Sequence, residues 1–100
     1  GLDVEVVDLR TLNPLDSAGV LAAVRRTGKA LIAYEDNKFV GYGAELAAQI
    51  AEDAFTALDA PLLRVAAPDA PAAPYSHPLQ DAFLPGPRAI LDGIRTLARY

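Results

Sequence analysis

A layered α/β fold built on a parallel sheet is predicted for this 100-residue chain by three observations. Short runs rich in valine, isoleucine, leucine and alanine read as buried strands, and stretches with helical apolar periodicity follow them. Glycine, asparagine and proline stand at the joins. A helix set between two strands is the crossover that joins parallel neighbours, and neither element buries its apolar surface alone, so the elements must stack in layers.

Taken in order, Gly1 and Leu2 come immediately before a strand pattern. Glycine commonly stands just past a helix end, so an upstream helix is expected, and the lack of methionine also points to a piece of a longer chain. Val4 to Leu9 is rich in valine and is predicted as a strand with both faces largely covered, with Asp8 and Arg10 marking its exit. Asn13-Pro14 makes a turn, and Asp16 is a good N-cap for a helix carrying Val20, Leu21 and Val24 on one side. Arg25, Arg26 and Lys29 complement the dipole at its far end, where Gly28 is the expected stop.

Ala30 to Tyr34 is the next strand, ending in Glu35 and Asp36, and Gly41 and Gly43 turn the chain into a long amphipathic helix to Leu58. In that helix Leu46, Ile50, Ala54 and Leu58 recur every four residues with Ala47, Ala51 and Phe55 beside them. Glu45, Gln49, Glu52, Asp53 and Thr56 fill the other side. Pro61 breaks the pattern and Leu62 to Ala66 makes a further strand, so the sheet is expected to hold at least three parallel strands. Six of the eight prolines fall from Pro68 to Pro87. That stretch is an ordered loop provided that Tyr75, Leu79, Phe83 and Leu84 pack down, with a short helical turn over Leu79 to Phe83. Pro87 suits the first position of the last helix, Arg88 to Tyr100, whose apolar stripe is Ile90, Leu91, Ile94, Leu97 and Ala98.

Composition narrows the function. Hydrophobic residues make up 52% of the chain, but no apolar run approaches the roughly 20 residues of a membrane span, so a soluble protein is expected. A net charge of -4 without a Lys/Arg patch argues against nucleic acid or an anionic membrane as the main partner and favours a basic one. The absence of cysteine excludes disulfides, thiolate zinc sites and a cysteine nucleophile, and the single His77 excludes a multi-histidine metal centre.

Four places could carry chemistry. Gly41-Tyr42-Gly43 before a helix invites a phosphate, but no third glycine and no GK[ST] follow, and Glu45 puts negative charge in the first turn. Glu35 and Asp36 lie where open α/β sheets bind ligands, yet neighbours on a strand point to opposite faces, so one is expected to cap the loop and the other to be solvated. Ser76-His77 tempts as nucleophile and base, but triads are assembled by tertiary geometry. His77 before Pro78 is expected in extended backbone as a loop anchor. Phe55 and Asp59, four apart at a helix end, together with Tyr100, make an aromatic and acidic cluster able to receive a basic partner. The competing reading has Phe55 in the core and Asp59 merely solvated.

The stretches VEVVDLRTLNPLD, RTGKALIAYED, GYGAELAAQIAEDAF, LDAPLLRVAAPDAPAAPYS and LPGPRAILDGI resemble the C-terminal, transketolase-type domain of the beta subunit of thiamine-diphosphate-dependent 2-oxoacid dehydrogenases, the pyruvate, branched-chain and acetoin enzymes. The resemblance covers nearly the whole chain. It implies a three-layer α/β/α domain with a mixed, mostly parallel sheet, here lacking its first strand and helix. It implies a whole enzyme that oxidatively decarboxylates a 2-oxoacid and passes the acyl group to lipoyl, cytoplasmic in bacteria and in the mitochondrial matrix of eukaryotes. Thiamine diphosphate and magnesium are expected between the alpha subunit and the preceding domain of the beta subunit, with no catalytic, cofactor or metal residue in this stretch. The implied role of this domain is assembly with the alpha subunit and a second beta subunit into a heterotetramer, and docking of the peripheral subunit-binding domain of the acyltransferase core. The implied docking positions are Phe55, Ala57, Asp59 and Tyr100, with Asp59 where some relatives carry Glu. Two alternatives remain beside it: a small-ligand-binding α/β domain using Glu35, Asp36 and the Gly41 to Gly43 turn, and the equivalent domain of another transketolase-superfamily enzyme, which the LDAP and PDAPAAPYS stretches disfavour.

Overall fold

The computed structural model describes residues 1–69 and 75–100. Its elements are α1 (Ser17–Thr27), β1 (Leu31–Asn37), α2 (Tyr42–Ala54), a 3-10 turn (Phe55–Ala57), β2 (Leu63–Ala67), α3 (His77–Phe83) and α4 (Pro87–Ala98). Part of the proline-rich stretch, 70–74, lies outside the described residues.

Local chemistry sets the helix ends. Asp16 caps α1 by accepting from the Gly19 amide at 3.0 Å, and Gly28 closes it in the left-handed conformation at φ 72 with its amide on the Val24 carbonyl. Arg25 and Arg26 occupy the last turn, as the helix dipole favours. Pro87 opens α4, where its missing N–H removes no helical bond.

β1 and β2 pair in parallel with Leu31 beside Leu63, Ile32 beside Arg64 and Ala33 beside Val65, and the register shifts before Asn37 meets Ala67. The helix between them is the crossover that parallel pairing demands. Successive strand residues face opposite ways, and the two faces are covered by different helices. Ile32 and Tyr34 face α1 and α2, packing with Val20, Val24, Leu46, Ile50 and Ala54. Leu31, Leu63 and Val65 face α4, where Gly93 allows a close approach of helix to sheet. The result is the three-layer α/β/α arrangement, with Ile50, only 1% exposed, as its largest fully buried side chain.

Several expectations are corrected. Among the described residues the sheet has two strands, not three, because Val4 to Leu9 does not join it. That segment is exposed up to Asp8, with Val6 at 85%, rather than covered on both faces. A cavity of about 560 Å³ is lined by Val7 and Leu9 from this segment and by Leu31, Ala33 and Tyr34 from β1. Glu5 instead pairs with Arg26 at the end of α1, where the hydrogen bond and the charge of Glu5 hold the guanidinium further above its usual range. Valine favours strands through packing on cross-strand neighbours, and a segment without them gains nothing from its composition. The long helix stops at Ala54 instead of Leu58, since the chain tightens into the 3-10 turn. Tyr75 and Leu79 remain exposed rather than packed down, although Phe83 and Leu84 are half-buried. In α4 Leu91 and Ala98 are exposed, and Gly93 and Leu97 are the buried residues.

Candidate functional site

Of the four positions expected to dock a partner, Ala57, Asp59 and Tyr100 lie against the residues that close α1, Gly28 and Lys29. α2 runs out beside the end of α1, where Arg25 donates from its guanidinium to the Asp53 carbonyl at 2.8 Å and so binds the two helix ends together. The backbone twists at Ala54, with φ -135 and ψ 15, and the following 3-10 turn carries Phe55 out of the apolar stripe into solvent, 70% exposed. The Leu58 amide returns to the Phe55 carbonyl at 3.1 Å, and the Asp59 amide donates to the Gly28 carbonyl at 2.7 Å. Ala57 is half-buried within this turn and Asp59 is exposed. Tyr100, 65% exposed, is held at its carbonyl by the Lys29 ammonium at 2.9 Å.

Two consecutive residues, Gly28 and Lys29, therefore hold Asp59 and Tyr100. With Glu52 and Asp53 exposed beside Phe55, and the carbonyl end of α2 adding partial negative charge, the surface joins an aromatic ring to an acidic rim. The core reading of Phe55 is overturned, for no buried residue occupies the 3-10 turn. Sequence reasoning missed the bracing role of Arg25, Gly28 and Lys29. The cations were visible only as helix-dipole partners, and Gly28 only as a stop.

The other candidates resolve differently. A side chain on Gly43 would run into the Tyr34 ring, and one on Gly41 into that ring and the Asn37 carbonyl. These glycines make room for core packing and open α2 without a side-chain cap. Glu35 and Asp36 are both exposed, and Asp36 caps the Asn37 amide at 2.8 Å. His77 is the first residue of α3, not extended backbone, and is exposed, while Ser76 makes no side-chain cap bond. Among the described residues no group of three or more His, Cys, Asp or Glu side chains is placed to hold a metal ion. Among the described residues no helix is long and apolar enough to cross a membrane.

Layering, parallel crossover and an exposed aromatic beside acidic side chains where α2 ends define a small α/β/α domain. The chain belongs to the transketolase C-terminal domain family, whose model, described as "Transketolase, C-terminal domain", matches residues 1–90. It is 40% identical over 100 residues to the 2-oxoisovalerate dehydrogenase subunit beta of Bacillus subtilis, covering all of this chain and 31% of that protein. It is 39% identical over 100 residues to the pyruvate dehydrogenase E1 component subunit beta of the same organism, again over the whole chain and 30% of the relative. It is 42% identical over 96 residues to the 3-methyl-2-oxobutanoate dehydrogenase subunit beta of Mycobacterium tuberculosis, covering 96% of the chain and 27% of that protein. The chain thus spans less than a third of the length of these relatives.

Proposed function

We propose that this domain serves assembly and docking in the beta subunit of a thiamine-diphosphate-dependent 2-oxoacid dehydrogenase. The names of the pyruvate and branched-chain relatives, together with matches that run along nearly all of this chain, support that reading. The whole enzyme would decarboxylate a 2-oxoacid oxidatively and pass the acyl group to lipoyl, as a heterotetramer of two alpha and two beta subunits. Thiamine diphosphate and magnesium would be held outside these residues.

The observation that carries the docking role is Phe55, an aromatic ring 70% exposed at a helix end rimmed by Glu52, Asp53 and Asp59. Large aromatic side chains anchor interfaces because they bury much area at little entropy cost, and the acidic rim steers a basic partner. The partner is the peripheral subunit-binding domain of the acyltransferase core, with its apolar surface on Phe55 and Ala57 and its cations toward Asp59. Rim charges act mainly on encounter and on salt dependence, so binding weakens as ionic strength rises. In the assembled heterotetramer, Asp59→Ala is expected to weaken binding of that domain about tenfold, a loss of about 1.4 kcal/mol, near the low end for a close interfacial charge pair. Decarboxylation with a soluble electron acceptor stays unchanged. Unaltered affinity on titration would sink the docking assignment.

A further inference from the structure

We infer that Gly28 is a positioning residue for this docking surface, acting through the Asp59 carboxylate; the inference rests on the docking reading above. Gly28 is buried, closes α1 at φ 72 and accepts the Asp59 amide on its carbonyl at 2.7 Å. A Cβ built on Gly28 would run into the Asp59 carboxylate and come within 3.4 Å of the Ala57 carbonyl oxygen. The next residue, Lys29, fixes Tyr100. The end of α1 is thus the bed on which the 57–59 turn lies, and the carboxylate rests in the space a side chain at position 28 would fill.

Glycine is needed here on two separable grounds. The left-handed backbone excludes most side chains but tolerates asparagine, which is the common second choice at this helix position. The space is taken by the end of the exposed Asp59 side chain, which any side chain at position 28, asparagine included, would push aside. Gly28→Asn therefore keeps the cap and displaces the carboxylate, while Gly28→Ala displaces it and strains the backbone as well.

Full-length subunits in the assembled enzyme, carrying Gly28→Asn, Gly28→Ala, Asp59→Ala or Gly28→Asn with Asp59→Ala, are titrated with the isolated subunit-binding domain at low and high salt. Gly28→Asn is expected to weaken binding about fivefold and to flatten its salt dependence, with little change in melting temperature. Added to Asp59→Ala, the same substitution changes affinity less than about twofold, because the group it acts through is gone. Gly28→Ala lowers the melting temperature further without a larger loss of affinity. An equal loss with and without Asp59, or no loss in either background, overturns the positioning role and leaves the docking reading standing. Full affinity of Asp59→Ala alone overturns the docking reading and this inference with it.

Discussion

At its N-terminal end α2 opens from Gly41-Tyr42-Gly43, and beyond its C-terminal end the chain passes through Phe55 to Asp59. In sequence the first stretch has the look of an anion-binding turn, and the second continues an amphipathic helix. In space their roles are exchanged. The glycines are buried against the Tyr34 ring, and the aromatic of the other end stands in solvent. A glycine marks either a ligand's approach or a neighbour's side chain, and only the packing decides which. A helical period, likewise, assigns a side chain to the core only while the helix lasts.

Four predictions bear on this contrast, the largest effect first. Ile50→Ala, in the middle of α2 where both ends depend on it, is expected to cost about 3 kcal/mol by chemical denaturation, as cavity-forming core truncations do. A loss below about 1 kcal/mol would mean that α2 is not seated as described. Gly43→Ala is expected to cost about 2 kcal/mol, since the added methyl must push the Tyr34 ring out of the core. A neutral result there would return the glycine turn to candidacy as a ligand site. At the other end, Phe55→Ala is expected to change stability by no more than about 0.5 kcal/mol while weakening partner binding about tenfold, because the ring is exposed in the free domain. A large stability loss would restore Phe55 to the core. The smallest effect has the opposite sign: Val40, a β-branched residue at φ 59, sits in the turn before α2. Val40→Gly is expected to stabilise by up to about 1 kcal/mol by relieving that left-handed strain, offset in part by the entropy of glycine.

The parts of the fold legible in the sequence are those fixed by local chemistry. Asp16 and Gly28 bracket α1, Pro87 opens α4, and the apolar run from Ala30 marks β1, each through groups a few residues apart. What was not legible depends on distant groups. Val4 to Leu9 has strand composition, but only a neighbour along its backbone makes a strand, and Glu5 is drawn to Arg26 instead. The end of α2 was placed four residues late, at Leu58, because Leu58 still packs against the core from beyond the helix and so continues the apolar period. For the candidate site, Phe55, Ala57, Asp59 and Tyr100 were named from spacing and resemblance. Their bracing by Arg25, Gly28 and Lys29 joins residues 28 to 71 positions apart, which no local pattern encodes.

The central claim, that the C-terminal end of α2 is the docking end and the N-terminal end is core, is tested most directly by hydrogen exchange of the assembled enzyme with and without the subunit-binding domain. Amides from Phe55 to Asp59 and around Tyr100 are expected to slow on binding, while those from Gly41 to Gly43 keep their free rates. Slowing confined to Gly41 to Gly43, with Phe55 to Asp59 unchanged, would contradict it.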